Sequence, residues 1–248
     1  MIKKLYLIGI GPGDSKYLTL EAYQVIKRLD LFFIPDKRGK KEGLTEARLA
    51  LLKKVKGEEA FKVIPLPFPE RPKSVNYVEK VKGWRSEKAK ILKDALSNYE
   101  EREAGFLIWG DPAIYDGHIE IVREVAEEVS LDWEVIPGLS AFQVLAAKER
   151  ISLTQLATPL AFHTPRTLRR LKEIREPTVV FLDNYETFQL FKEQDLTIHW
   201  GAYVGTEEEV LLRGDLGEIV EEIKSLRRKL KEKKGYLMEI YFLKPKEA

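Results

Sequence analysis

Apolar and polar residues follow two periods along the chain, and together they predict a repeating order of strands and helices. The run KLYLIGI at 4–10 is apolar after its first residue and ends among glycines, as expected of a strand buried on both faces. Apolar residues then recur at helical spacing over 18–30, where Thr19 can cap the helix, and LFFIPD at 31–36 is a second buried strand. Strand, glycine loop, helix and strand form a βαβ unit, which predicts a parallel sheet with a ligand at the carboxyl ends of its strands.

The same alternation continues to the end of the chain. Helices are predicted at about 45–55, 78–101, 118–128, 139–149, 166–174 and 215–233, and apolar, strand-like segments at 61–72, 105–110, 133–138, 159–165, 178–184, 197–205 and 236–243. Because Pro112 and Gly117 enclose residues with little periodicity, a domain boundary is predicted near 113 to 117. The expected architecture is therefore two α/β domains, an N-terminal one at 1–113 and a C-terminal one at 117–248.

The composition narrows the kinds of function. The chain has 248 residues, of which 44% are hydrophobic and 33% charged, and a net charge of only +2, which argues against a nucleic-acid binder. It has no cysteine, which excludes disulfides, thiolate metal ligands and a cysteine nucleophile. No run of about 18 apolar residues and no basic leader are apparent, so we expect a cytoplasmic protein without membrane association.

The first glycine loop, GIGPGD at 9–14, resembles a dinucleotide-binding loop but departs from its pattern. The fingerprint is G-x-G-x-x-G, whereas the glycines here are spaced G-x-G-x-G and Asp14 occupies the third position. A carboxylate at the helix entrance would repel a pyrophosphate, and the ending of a P-loop is absent. A phosphate site is therefore disfavoured, and the alternative is a tight turn with Asp14 as a helix cap.

Three further loops place small and acidic residues at strand exits: WGDPAIY at 109–115, VIPGLSAF at 135–142 and HWGAYVGTEEE at 199–209. Taken singly, each has a simple structural explanation as an Asx-turn, a helix cap or part of the core. Together with the first loop, they predict a crevice for a ligand that carries positive charge and approaches the backbone closely.

The motifs LIGIGPGD, GDPAIY and VIPGLSA, in this order and spacing, resemble those of the tetrapyrrole methylases. The resemblance implies two α/β domains with S-adenosyl-L-methionine, the methyl donor, in a cleft between them, usually in a homodimer. It implies a tetrapyrrole substrate and no metal. Longer stretches across the whole chain, such as LFFIPDKRGK and LRRKLKEKKGYLMEIYFL, resemble the members that methylate C-1 of precorrin-5 with release of acetate in cobalamin biosynthesis. One departure is HTPRTL at 163–168, where the family has threonine, glycine and arginine, which leaves the substrate contacts of that loop open.

The resemblance also implies where the methyl donor binds, position by position. Backbone groups of the Gly-Asp-Pro loop are expected to hold its amino acid end, and the Asp111 carboxylate to favour its cationic parts. Apolar side chains are expected to enclose the adenine. The residues at matching positions are Pro12, Gly110, Asp111, Ile114, Ser140, Ala141, Leu182, Tyr203 and Leu237.

Release of acetate would benefit from a general base or a hydrogen-bond donor in reach. We predict Asp36, which follows Pro35 at the end of a buried strand, and Tyr115 as the catalytic residues. The other polar candidates at strand exits are Asp14, His163 and Tyr203. Two basic stretches are candidates for binding substrate carboxylates, with solvated surface charge as the alternative: Lys37, Arg38, Lys40 and Lys41, and Arg166, Arg169 and Arg170.

Other functions fit parts of the sequence. Another precorrin methylase would carry the same three motifs, and a Rossmann-type dinucleotide enzyme would explain the first glycine loop alone. A tetrapyrrole carrier without activity would leave the methyl-donor loops without a purpose.

Overall fold

The computed structural model describes residues 2–36, 42–70, 77–154 and 156–246, with the side chains of 42 and 77–82 excepted. The chain divides into two compact units, Met1–Ser140 and Ala141–Ala248, and each contains a five-stranded sheet. Of the helices in the described ranges, none is long and apolar enough to cross a lipid bilayer.

The first unit is built on a parallel sheet, as the βαβ pattern predicts. Its strands lie in the order β3-β2-β4-β1-β5, and every pair is parallel. The strands are β1 (Lys4–Gly9), β2 (Leu31–Pro35), β3 (Lys62–Leu66), β4 (Glu103–Ile108) and β5 (Asp132–Ile136). The helices are α1 (Leu20–Arg28), α2 (Glu42–Lys56), α3 (Tyr77–Ser97) and α4 (His118–Glu128), with a 3-10 helix at Ser15–Tyr17.

Both faces of this sheet are covered, which explains why its strands are continuously apolar. Along β1, Leu5 and Leu7 enter one hydrophobic cluster, whereas Tyr6 and Ile8 enter another. Alternate residues of a strand point to opposite faces, so the two clusters are the two layers of helix packing. The predicted cap of α1 is confirmed, because the Thr19 hydroxyl accepts a hydrogen bond from the Ala22 amide at 3.1 Å.

The second unit is a mixed sheet in the order β6-β7-β10-β8-β9, in which β6 and β7 are parallel and the other pairs antiparallel. The strands are β6 (Ala161–His163), β7 (Thr178–Phe181), β8 (Leu196–Ala202), β9 (Val210–Asp215) and β10 (Glu239–Pro245). The helices are α5 (Ala141–Glu149), α6 (Pro165–Leu168) and α7 (Leu216–Lys234), with a 3-10 helix at Thr187–Phe191.

Two elements of this unit differ from the sequence pattern. The sequence does not predict β9, an edge strand that stays partly exposed and so lacks a continuous apolar run. The predicted helix at 166–174 is wrong beyond Leu168. The amides of Arg170 and Leu171 bond three residues back instead of four, and residues 169–173 are exposed, with no apolar face to bury.

The division between the units follows Ser140 and does not fall at the predicted boundary near 113 to 117. The reason is β5, which lies beyond that boundary and pairs with β1 at the edge of the first sheet. The helix α4 belongs with it, since its buried residues Ile121, Val122 and Val125 join the first unit's core. Pro112 and Gly117 therefore mark a long loop at a strand exit and no linker between domains.

Candidate active site

Three of the predicted loops leave adjacent strands of the first sheet and meet at its carboxyl edge. The strand β1 lies between β4 and β5, so the loops that follow these three strands are neighbours. The Gly11 amide donates to the Gly110 carbonyl at 3.2 Å, and the Gly110 amide donates to the Gly11 carbonyl at 2.9 Å. The first and second loops are thus joined by backbone alone.

The close approach of the loops requires glycine. A Cβ atom at Gly138 would lie 2.2 Å from the Gly110 carbonyl oxygen, and one at Gly9 would lie 2.6 Å from the Gly138 nitrogen. Neither distance leaves room for a side chain, and in both cases the obstacle is backbone. Where the three loops meet, they therefore touch mainly through main-chain atoms.

Asp111 closes this arrangement by its side chain. Its Oδ1 atom accepts from the Ala113 amide at 2.8 Å, and its Oδ2 atom accepts from the Gly138 amide at 2.9 Å. The carboxylate thus caps its own turn and ties the second loop to the third. The contact of Asp111 with the cationic parts of a ligand stays a prediction. The carboxylate has lone pairs for it, because the two amides use only part of its capacity to accept hydrogen bonds.

Asp14 is a capping residue in this structure. Its Oδ1 atom accepts from the Lys16 amide at 3.1 Å and pairs with the Lys54 ammonium at 3.3 Å. The Lys16 amide and, after it, Lys54 hold the pKa of Asp14 below its usual value. The glycine loop runs into the 3-10 helix at Ser15–Tyr17, and α1 begins only at Leu20, so the loop does not lead directly into the N-terminus of an α-helix, as a dinucleotide site requires.

The remaining residues predicted for the first unit lie in or beside these loops. Pro12 and Ser140 are buried, and Ile114 is half-buried with its amide bonded to the Asp111 carbonyl at 3.2 Å. Tyr115 is 49% exposed and has a φ angle of 53°, a left-handed conformation that is uncommon outside glycine. Partial burial raises the pKa of its phenol. Ala141 is the first residue of α5, in the second unit.

Asp36 lies at the same carboxyl edge. It follows β2, which pairs with β4, and its amide donates to the Leu66 carbonyl at 2.8 Å. Asp36 and Tyr115, the two residues predicted to be catalytic, thus lie in loops that follow neighbouring strands. The basic residues Lys37, Arg38, Lys40 and Lys41 lie outside the described residues. Arg166, Arg169 and Arg170 are exposed at and after α6.

In the second unit, the predicted residues Leu182, Tyr203 and Leu237 lie at one edge of the mixed sheet. Leu182 follows β7, Tyr203 follows β8, and Leu237 precedes β10, which runs antiparallel to both. The Tyr203 amide donates to the Met238 carbonyl at 2.8 Å, and its hydroxyl donates to the Tyr236 carbonyl at 2.6 Å. Burial raises the pKa of Tyr203 to about 12. The side chain of Leu182, in contrast, is 55% exposed.

A buried polar network behind this edge was not predicted. Asp183, next to Leu182, accepts from the Thr187 amide and the Tyr241 hydroxyl, each at 2.7 Å. Arg227 donates to the Asp183 carbonyl at 2.8 Å and to both carboxylate oxygens of Glu239. The network holds Leu182 in a left-handed conformation with a φ angle of 58°. The only sequence signal was an acid directly after a buried strand, in FLDN.

A second unpredicted cluster adjoins Tyr115 in the first unit. His118 is buried and bridges Asp116, at 2.5 Å from its Nδ1 atom, and Lys88, at 2.9 Å from its Nε2 atom. Arg48 is also buried, and burial lowers its pKa to about 10. The sequence signal for this cluster was weak. It consisted of an Asp-Gly-His stretch at the start of a helix and a lysine on a helix rich in charged residues.

Comparison with known proteins points to one family. The model of the family described as Tetrapyrrole (Corrin/Porphyrin) Methylases matches residues 4–220. A precorrin-6A synthase (deacetylating) from Sinorhizobium sp is 33% identical across 98% of this chain and 95% of its own length. A cobalamin synthesis related protein (CobF) from Corynebacterium diphtheriae has a TM-score of 0.82 and 27% identity over the whole of both chains.

A more distant structure shares the fold. The uroporphyrin-III C-methyltransferase of Thermus thermophilus, complexed with S-adenyl homocysteine, has a TM-score of 0.62 at 17% identity over 97% of this chain and 92% of its own. The resemblance drawn from three sequence motifs is confirmed, together with the predicted fold of two α/β units. The chain belongs to the family of the tetrapyrrole (corrin/porphyrin) methylases.

Proposed function

We propose that the protein is an S-adenosyl-L-methionine-dependent methyltransferase that methylates precorrin-5 at C-1 and releases acetate, which gives precorrin-6A in cobalamin biosynthesis. The observation that carries the proposal is the 33% identity, over 98% of the chain, to a precorrin-6A synthase (deacetylating). Other members of this family act on other tetrapyrroles. Membership of the family therefore does not specify the substrate, and precorrin-5 is the more specific part of the proposal.

The residues of the first unit fit a methyl donor better than a phosphate ligand. The surface formed by Gly9, Gly110 and Gly138 allows a ligand to reach the backbone, and Asp111 adds negative charge to it. Asp14 caps a short turn at the place where a dinucleotide would need a free helix N-terminus. The complex of the Thermus thermophilus protein with S-adenyl homocysteine supports the same ligand class.

In this proposal the methyl donor is bound by the residues at the positions that match the family motifs. Pro12, Gly110, Asp111 and Ser140 contact its amino acid and ribose through backbone and carboxylate groups, and Ala141 and Tyr203 contribute further contacts. Ile114, Leu182 and Leu237 enclose its adenine and exclude water.

The chemistry divides between the donor and the protein. S-adenosyl-L-methionine, when bound, supplies a methyl group already activated on a sulfonium, so no metal or protein nucleophile is needed. The protein aligns the ring carbon with that methyl group, and alignment of this kind contributes roughly 7–11 kcal/mol. Asp36 takes a proton from the water that attacks the acetyl carbonyl. The carbon–carbon bond between the acetyl group and the ring then breaks, acetate leaves, and the electron pair of that bond stays with the ring, whose carbon takes the methyl group as the methyl–sulfur bond breaks. Tyr115, whose raised pKa keeps the phenol protonated, donates a hydrogen bond to the carbonyl oxygen as charge develops there.

The test is to supply precorrin-5 and S-adenosyl-L-methionine and to measure methylated product and acetate together. We expect one acetate for each methyl group transferred, and S-adenosylhomocysteine as the second product. A methylated tetrapyrrole without acetate would move the activity to another precorrin, and tight binding of NAD without binding of the methyl donor would indicate a dinucleotide enzyme. The variants Asp36→Asn and Tyr115→Phe should lower acetate release and leave the affinity for S-adenosyl-L-methionine unchanged.

The assembly and the compartment belong to the same proposal. The enzyme is a homodimer in the cytoplasm. Sedimentation equilibrium of the full chain tests the dimer, and a mass equal to that of one chain at micromolar concentration would contradict it.

A further inference from the structure

The side chains of Asp116, His118 and Lys88 form a hydrogen-bonded chain beside the loop that carries Tyr115. We propose that His118 is a positioning residue that holds Tyr115 in place for the release of acetate. The inference rests on the proposed function, in which Tyr115 donates to the acetyl carbonyl. The inference assigns a role to a buried polar group whose presence the binding of the methyl donor does not explain.

The contacts fix where the protons lie. The Asp116 Oδ1 atom accepts from the backbone amide of His118 at 3.0 Å and from its Nδ1 atom at 2.5 Å. The Lys88 Nζ atom lies 2.9 Å from the Nε2 atom. A carboxylate only accepts and an ammonium only donates, so the imidazole carries its proton on Nδ1 and accepts on Nε2. A neutral ring satisfies both neighbours, whereas an imidazolium could not accept from Lys88.

Packing holds this chain rigidly. His118 and Lys88 are 7% and 4% exposed, and the His118 ring lies with its centroid 4.7 Å from that of Phe106. The Lys88 ammonium lies 4.5 Å from the ring centroids of both Phe68 and Trp84, which stabilise its charge by cation–π contacts. The imidazole therefore has one orientation, and so has the carboxylate of Asp116 that it binds.

The chain acts on Tyr115 through its neighbour in sequence. Tyr115 has a φ angle of 53°, and a conformation of this kind costs on the order of 1–3 kcal/mol and persists only where its surroundings impose it. Two carboxylates restrain the backbone on either side of Tyr115. Asp111 fixes the loop before Tyr115, and Asp116, held by His118, fixes the loop directly after it. Loss of the His118 side chain removes one of the two donors to Asp116 and keeps the backbone amide, so the loop directly after Tyr115 is held less firmly.

The charges around His118 favour the same protonation state. Burial lowers the pKa of His118, and the positive charges of Lys88 and Arg48 lower it further, while Asp116 opposes them. Burial alone would raise the pKa of Asp116, but the hydrogen bonds from His118 hold it below its ordinary value. At neutral pH the arrangement is a carboxylate, a neutral imidazole and an ammonium.

The proton positions are tested by nitrogen NMR of the ¹⁵N-labelled protein. The sequence has three histidines, so the spectrum is simple, and the signal lost in His118→Asn assigns the residue. We expect a neutral ring with its proton on Nδ1 between about pH 6 and pH 8. An imidazolium in that range, or a proton on Nε2, would overturn the inference.

The link to Tyr115 is tested by a double-mutant cycle with His118→Gln and Tyr115→Phe, in which kcat for acetate release is measured. His118→Gln keeps an acceptor near Lys88 and loses the donor to Asp116, and we expect kcat to fall roughly 10- to 100-fold with little change in KM for S-adenosyl-L-methionine. His118→Asn, which keeps a donor towards Asp116, should retain more activity. The double variant should be no slower than Tyr115→Phe alone, because the hydroxyl that His118 positions is then already absent.

Multiplicative losses in the cycle would show that His118 affects kcat independently of Tyr115, and full activity of His118→Gln would show that His118 has no part in the reaction; either result overturns the inference. These outcomes are separate from failure of the proposed function. If the wild-type chain binds S-adenosyl-L-methionine and releases no acetate from precorrin-5, the substrate assignment fails, and the positioning of Tyr115 for acetate release falls with it. If the wild type releases acetate and the cycle is multiplicative, the proposed function stands and only the positioning role is lost.

Discussion

The two units hold their strand-exit loops by different means. In the first unit, Gly9, Gly110 and Gly138 bring backbones into contact, and one carboxylate, Asp111, binds two amides across the gap. In the second unit, the loop at Leu182 rests on a buried ionic network centred on Arg227. The first arrangement depends on the absence of side chains, and the second depends on the pairing of charges. A loop whose backbone must approach a ligand thus needs glycine. A loop that presents a side chain can instead be held by a buried polar network on its inner side.

The difference has consequences for stability. A steric requirement costs the same at every pH and salt concentration, because it comes from overlap of atoms. A buried ion pair is stable only while both partners are charged, and burial raises the pKa of Glu239 despite its contact with Arg227. The units should therefore respond differently to the same kind of perturbation.

The largest effect is expected from removal of the buried cation. Arg227→Met keeps the length of the side chain and leaves Glu239 buried without its partner, which should lower the free energy of unfolding by about 3–5 kcal/mol. Urea unfolding measures this loss, and the control is Arg228→Met, an exposed neighbour on α7. The double variant Arg227→Met with Glu239→Gln should recover part of the loss. A loss below about 1 kcal/mol would mean that the network does not support the second unit.

The next effect is expected from a methyl group at the closest backbone contact. Gly138→Ala places a Cβ atom 2.2 Å from the Gly110 carbonyl oxygen, so the third loop must move away from the second. Overpacking of this kind costs about 1–3 kcal/mol, and we expect the affinity for S-adenosyl-L-methionine to fall at least roughly tenfold. Calorimetric titration measures the affinity.

The matched control for that variant is Gly83→Ala on α3. A Cβ atom there meets nothing within 4 Å, and alanine in an exposed helix position should raise stability by roughly 0.5–1 kcal/mol. Unchanged affinity in Gly138→Ala would show that the methyl donor does not depend on the contact of the loops, and the first half of the comparison would fail.

The sequence predicted the first unit better than the second for the same physical reason. A strand buried on both faces is a continuous apolar run, so β1 and β2 were predicted almost at their observed bounds, and the predicted helix at 118–128 is α4. The edge strand β9 is half-exposed and has no such run. The domain boundary failed because a proline and a glycine mark a turn without telling whether it ends a domain or forms a site.

Within the site, the residues that carry main-chain contacts were predictable and those that carry buried charge were not. The glycines and Asp111 occur in short motifs at strand ends, where a ligand is expected in a parallel sheet. The partner of Asp111, the Gly138 amide, is 27 residues away, and Lys88 is 30 residues from His118. The first pair is set by the order of the strands that precede the two loops and the second by how α3 and α4 pack, and periodicity specifies neither.

A smaller effect is expected from Asp111→Asn, which keeps the shape of the side chain that joins the loops. One of its two oxygens becomes an amide nitrogen that faces a backbone N–H, so one hydrogen bond is lost at a cost of about 1–2 kcal/mol. The affinity for S-adenosyl-L-methionine should fall less than in Gly138→Ala, because the backbones can still approach. A larger fall in affinity than in Gly138→Ala, at equal stability, would show that the charge of Asp111 contributes more to binding of the donor than the close approach of the backbones does.

The smallest effect is a dependence of the free energy of unfolding on pH. The glycine contacts cannot produce such a dependence, whereas the titration of His118 can. Its pKa is lowered in the folded protein, whereas an unfolded chain has the ordinary value of about 6.5. As the pH falls below about 6.5, the unfolded chain therefore binds a proton that the folded one does not, and the free energy of unfolding decreases by at most about 1.4 kcal/mol per pH unit until the folded pKa is reached. Urea unfolding of the wild type and of His118→Asn between about pH 7 and pH 5 isolates the contribution, since asparagine still donates to Asp116 and the groups outside this pair titrate alike in both. Stability should fall more steeply in the wild type, and parallel curves would mean that the imidazole is already protonated in the folded chain or is not held between Asp116 and Lys88.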